Sequence, residues 1–205
     1  MAWSVGFLIY AVVQFVAFLL VLVATPIDMF RFKGDTRVIP GECITLWDLK
    51  LNCMSVTYAM SANEQWAPCP PRRNRFRMGQ AFAVISIFVY GMAFVLGVIM
   101  LFCHRRFRWV CLVLNIFGTI TVFFVWVTLA VSFNENSDVG CPELKTPNTY
   151  GAGFVLFLLA WLLDIANIAV LLFLCQDSGS GESGNAIGNK GQEYKEENKG
   201  KQRTD

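Results

Sequence analysis

One carboxylate stands alone in an apolar surround. Asp164 lies inside the run Gly151–Cys175, which holds no other charged residue. Asn167 follows three residues on, so the two share a helical face. A carboxylate inside hydrocarbon is costly, which makes it a candidate proton or ion site. The competing reading is a buried acid hydrogen-bonded to a neighbouring helix, with Asn115 or Gln14 as its partner. Paired carboxylates, a phosphate-cradling loop and a nucleophile elbow are missing from the sequence. His104 is the single histidine, so a multi-His metal centre and a Ser-His-Asp or Cys-His site with spare partners are nearly excluded. No enzyme activity, cofactor or metal is expected.

The second group with chemistry is the cysteines. Cys43, Cys53, Cys69 and Cys141 fall in two polar loops, whereas Cys103, Cys111 and Cys175 hug the ends of apolar runs. An even set on one face reads as disulfides in an oxidising compartment. The other three read as reduced or acylated thiols. Between Cys43 and Cys53 the residues alternate, with Cys43, Thr45, Trp47, Leu49, Leu51 and Cys53 on one side of any continuous strand. Along such a strand the two cysteines would stand about 33 Å apart, against the ~7 Å a disulfide allows. They pair with each other only across a chain reversal, or else with Cys69 or Cys141. Four cysteines allow three connectivities, and spacing does not choose among them.

The elements that position these residues follow from composition. The 205-residue chain is 55 % hydrophobic and 16 % charged, with a mean hydropathy of +0.49. Soluble domains carry about 25 % charge. A net charge of +2 argues against a nucleic-acid footprint. Four uncharged or nearly uncharged runs, at 5–24, 80–102, 109–133 and 151–175, each suit a helix crossing a ~30 Å hydrocarbon core. The first run lacks a basic leader and a small-x-small cleavage site, so it reads as a retained span. The spans form a membrane domain over 1–175, with loops at 25–79 and 134–150. The tail 176–205, rich in Gly, Ser, Lys, Glu and Asn, is expected to be disordered and cytosolic.

Basic residues flank both faces, including Arg72, Arg73, Arg75 and Arg77 beside the second span and Arg105, Arg106 and Arg108 in the short turn. The positive-inside rule therefore conflicts with itself. The cysteine distribution, with Trp3 and Trp109 as interfacial anchors, places both termini in the cytosol and both long loops outside. The Arg72–Arg77 cluster reads equally as a solvated rim or as a seat for anionic head groups. Ala93 and Gly97 form a small-xxx-small pair, and Gly91 and Gly118 also permit close helix approach.

The segment Cys43-Ile44-Thr45-Leu46-Trp47-Asp48-Leu49-Lys50-Leu51-Asn52-Cys53 resembles the amastin signature. Cys43, Ile44, Thr45, Leu46, Trp47, Lys50 and Cys53 match in place, and Asp48 stands where that family usually has Gly. The four spans, the long first loop and the short inner turn extend the resemblance over most of 1–175. The resemblance implies a multi-pass surface protein of trypanosomatid parasites, distantly similar to claudins. It implies a four-helix bundle carrying a small disulfide-stapled extracellular sheet. It also implies a Cys43–Cys53 bridge across a reversal near Asp48, which leaves Cys69 and Cys141 to tie the two outer loops.

The expected function is non-enzymatic: membrane contact or surface organisation at the host–parasite interface, in the plasma membrane. The partners would be the lipid bilayer, a host or parasite membrane surface, and a homo-oligomer if copies associate. The alternative is a small transporter or ion-linked channel using Asp164 and Asn167. Trp47 is expected to pack rather than project, leaving partner contact to Trp66 and the basic rim. No Asn-x-Ser/Thr sequon occurs in the chain.

Overall fold

The computed structural model describes residues 5–33, 42–53, 55, 57–102, 108–135, 141 and 143–173. The expectations for the tail 176–205, and for Trp3, Cys103, Arg105, Arg106 and Cys175, lie outside the described residues.

Numbered in chain order, the elements are α1 (Val5–Ala24), β1 (Asp28–Phe32), β2 (Cys43–Thr45), β3 (Asp48–Lys50), β4 (Met60–Ser61), α2 (Ala62–Gln65), α3 (Pro70–Phe102), α4 (Arg108–Asn134) and β5 (Asn148–Tyr150). A last helix, α5 (Ala152–Phe173), follows. Helices α1, α3, α4 and α5 are long and apolar enough to span a bilayer. Helices are the form such segments take, because lipid offers no partner to backbone N–H and C=O groups.

Helix α3 extends beyond the apolar run that marks the second span. The charge pattern starts the second span at Gln80, but the helix begins at Pro70 and runs 33 residues, about 50 Å at 1.5 Å per residue. Proline is tolerated in the first turn, where amide hydrogens lack intrahelical partners. The first helical bond runs from Arg73 N to Cys69 O at 3.0 Å. Charge marks where the hydrocarbon ends, not where the helix ends. The first turns of α3, with all four arginines, therefore lie beyond the apolar run and become part of a head built by the two long loops.

That head is a five-stranded antiparallel sheet in the order β4-β3-β2-β1-β5. The second loop supplies β5, which pairs Phe30 with Tyr150 and Phe32 with Asn148. The chain enters α5 through Gly151, whose N–H donates to Met29 O at 2.8 Å. A Cβ there would lie 2.3 Å from the Asp28 carbonyl oxygen, so glycine is required for the approach.

One apolar cluster runs from the head into the bundle through Phe30, Leu46, Phe76, Val125, Leu129 and Phe157. A second, smaller cluster of Tyr10, Met100, Cys111, Leu112 and Leu171 closes the opposite end.

Candidate functional site

The sequence singles out two places, the signature segment and Asp164. The signature folds with the reversal near Asp48 that the resemblance implies, not as one continuous strand. Two three-residue strands fold back on each other, pairing Cys43 with Lys50 and Ile44 with Leu49. The reversal is built by Thr45. Its Oγ1 accepts from Trp47 N at 3.2 Å and Asp48 N at 2.9 Å, and it donates to Asp48 O at 2.7 Å. A threonine hydroxyl at the head of a turn can substitute for backbone partners in this way. The turn brings Cys43 and Cys53 into a disulfide with Cα atoms 5.3 Å apart. Cys69 and Cys141 form the second bridge, joining the foot of α3 to the second loop.

Leu46 and Trp47 form the turn between β2 and β3. Leu46 is fully buried, and its Cδ1 would lie 3.3 Å from a Cβ on Gly79 of α3. Its carbonyl accepts from Gln80 Nε2 at 2.9 Å. Trp47 is half-buried and packs against the main core, and its carbonyl accepts from Ala62 N at 2.9 Å. Lys50 lies over the Tyr58 ring, 5.0 Å from its centroid. The signature thus docks the sheet onto α3 and α2.

Burial of the Asp48 carboxyl raises its pKa above the ordinary value of 3.8. The negative charge of Glu64 adds to this, and Lys50 acts against it.

Trp66 does not project toward a partner. It is buried at 4 % exposure, packed 5.5 Å from the Phe76 ring with the Arg72 guanidinium 5.0 Å above it. The basic cluster is a solvated rim only in part, with Arg77 exposed and Arg73 and Arg75 half-buried. Arg72 is fully buried. Arg75 is ion-paired with Glu135. Arg77 donates from Nε to Asn63 Oδ1 at 2.8 Å. These arginines fasten α3 to its neighbours.

The exposed apolar residues of the hairpin end are Leu51, Tyr58 and Met60, at 55 %, 50 % and 45 % exposure. Sequence reasoning missed them. Their exposure depends on which face of β3–β4 the core covers, and no local pattern reveals that.

In the bundle, Asp164 and Asn167 are fully buried, and their expected partners are corrected. Asp164 Oδ2 accepts from Tyr90 Oη of α3 at 3.0 Å and lies 2.8 Å from Thr119 Oγ1 of α4. Gln14 goes to Asn167 instead: Asn167 Nδ2 donates to Gln14 Oε1 at 2.7 Å. Asn115 Nδ2 donates to Tyr10 Oη at 2.8 Å and to Cys111 O at 2.7 Å. Helices α1, α4 and α5 are therefore closed into a ring of polar contacts, and Tyr90 ties in α3. Ser86 Oγ and Thr121 Oγ1, 3.0 Å apart, form a further contact toward the head.

The small residues expected to bring helix backbones together serve tyrosine rings here. A Cβ on Gly97 would lie 2.9 Å from the Tyr10 ring, and one on Gly118 would lie 2.8 Å from the Tyr90 ring. On Gly91 it would meet the Phe18 ring at 3.4 Å.

Compared with known proteins, residues 15–171 match the family model described as "Amastin surface glycoprotein". No curated protein matches the chain.

Proposed function

The chain belongs to the amastin family of surface glycoproteins and is a multi-pass membrane protein, and from that premise we propose that it works without covalent catalysis, as a contact or organising protein of the cell surface at the host–parasite interface. The observation that carries this reading is the outer head. Its sheet is fastened by two disulfides, and the hairpin end presents Leu51, Tyr58 and Met60 to solvent. Rigid presentation of exposed aromatic and apolar side chains suits a binding surface.

Two disulfides on one side of the bundle support an oxidising compartment for that side. In this reading the head faces outward at the plasma membrane and both termini lie in the cytosol, which the even number of spans supports. The bilayer, an opposing membrane surface and further copies of this chain are the partners of this reading. The transport alternative gains no support from Asp164, whose carboxyl is fully buried and bonded to Tyr90 and Thr119.

The test replaces Leu51, Tyr58 and Met60 together by serine in the full chain. Surface level, disulfide state and thermal stability should stay near wild type, since these side chains are exposed, while adhesion to partner membranes should fall. Unchanged adhesion at a normal surface level would overturn the reading. A label attached near Tyr58 should be reachable on intact cells, and one on the tail should not. The reverse result would invert the topology.

A further inference from the structure

The lipid-facing surface between α1 and α3 carries a pit of about 420 Å³, lined by Phe18 of α1 and by Phe88, Gly91, Met92 and Val95 of α3. It lies midway along the second apolar run, 80–102. No side chain around it carries nitrogen or oxygen. Phe88, Met92 and Val95 are more exposed than any other large apolar side chain of α3. Phe18 forms a fixed wall, because its ring stacks on Phe94 with centroids 6.4 Å apart.

Packing within the chain does not account for Gly91. A Cβ on Gly97 or Gly118 would run into a tyrosine ring at 2.9 or 2.8 Å, whereas on Gly91 its nearest neighbour, the Phe18 ring, is 3.4 Å away. Glycine weakens a helix relative to alanine, so its use here points to an occupant outside the chain. Spacing describes that occupant. Phe88, Gly91, Met92 and Val95 stand at i, i+3, i+4 and i+7. These are neighbours on one helix face, and four such residues bound the hole that takes one side chain of a facing helix. Any lipid-facing helix exposes residues at this spacing. The missing side chain at Gly91 is what deepens the spacing into a hole.

We infer that the occupant is α3 of a second copy of this chain, in a two-fold dimer with Met92 of each copy seated in the other's hole. Copies inserted with one topology cross the bilayer in the same direction. A two-fold axis along the membrane normal then sets α3 against α3, parallel and at equal depth. In a parallel pair with heptad spacing, a knob enters the hole that contains its own counterpart. Ile85, Phe88, Met92, Val95 and Ile99 supply that spacing, alternately three and four residues apart, and all five are exposed. Met92 is unbranched and adapts to an irregular hole. The contact is isologous, so one surface suffices for both copies. A lipid chain meets the pit on equal apolar terms, because helices in lipid gain no hydrophobic drive and associate by packing. No polar group is present to hold a head group. The advantage passes to the occupant that is ordered before it binds, which is the helix. Copies can pair in this way whether or not the outer head binds a partner.

The full chain, carrying a fluorophore on its tail and reconstituted in liposomes over a range of protein-to-lipid ratios, tests this by single-molecule photobleaching. Wild type should pass from one bleaching step to two as the ratio rises. Gly91→Leu fills the hole and Met92→Ala removes the knob, and each should weaken pairing by about tenfold. Met92 is exposed, so Met92→Ala should keep the wild-type melting temperature, which separates loss of pairing from loss of fold. With Cys103 and Cys175 changed to serine, oxidation of Met92→Cys should link two copies. Phe117→Cys should not link them, although it is exposed on α4 at the same depth, beside the Gly118 that faces Tyr90. Wild type that stays monomeric at every ratio would overturn the dimer and leave the pit to lipid. Dimers that withstand both Gly91→Leu and Met92→Ala, or that link through Phe117→Cys in place of Met92→Cys, would put the interface elsewhere and overturn the inference as well.

Discussion

Asn167, near the end of the last span, donates to Gln14 in the first span at 2.7 Å, across a sequence separation of 153 residues. This bond closes the bundle between its outermost helices in the chain. Both side chains are buried, so each depends on the other for a partner.

Replacing either Gln14 or Asn167 by leucine should destabilise the bundle, because the remaining amide is left without its bond. A double-mutant cycle should give a coupling of about 0.6 kcal/mol and at most about 1.7 kcal/mol, the range found for hydrogen bonds between membrane helices. Equilibrium unfolding in bicelles measures it. Additive single effects would mean that the bond contributes nothing.

The Cys69–Cys141 bridge closes a separation of 72 residues between α3 and the second loop. Changing both cysteines to serine should lower head stability by about 2–4 kcal/mol and reduce the amount of protein at the surface. Thermal unfolding and surface labelling report the two effects. Non-reducing peptide mapping of the wild type should return Cys43 joined to Cys53 and Cys69 joined to Cys141.

Gly118 makes room for Tyr90 beside Asp164. Gly118→Ala should push the ring away and cost about 1–3 kcal/mol by overpacking. Gly91→Ala, whose Cβ would meet the Phe18 ring at 3.4 Å, should cost far less. Comparing the two melting temperatures separates close packing at the tyrosine from a general intolerance of side chains at helix glycines.

Asp48 carries a pKa raised by burial, with Glu64 adding to it. A raised carboxyl favours the protonated folded state. Its contribution to stability is therefore complete below the ordinary value of 3.8 and is lost as pH rises through the folded value. Asp48→Asn should remove that part of the pH dependence and leave the head at least as stable at neutral pH. Proteolysis of the outer head as a function of pH measures it, and the effect should be small because the carboxyl is mostly solvated.

What the sequence determined by itself is whatever depends on local composition and short-range pattern. Four apolar runs become helices because hydrocarbon leaves the backbone no other way to satisfy itself. The Cys43–Cys53 segment was legible as a specific signature, and the even set of loop cysteines marked one face.

Tertiary structure decided which groups meet. Asp164 chose Tyr90 and Thr119 over Gln14 and Asn115, because a partner depends on how each helix is rotated and staggered, and a sequence does not state either. Trp66 became core and Arg72 its cover because α3 continues past the charge boundary into the head. The exposed face of β3–β4, with Leu51, Tyr58 and Met60, was settled by where the rest of the sheet and α3 put the core. Local hydropathy measures what a segment avoids. It cannot say which distant side chain will stand against it.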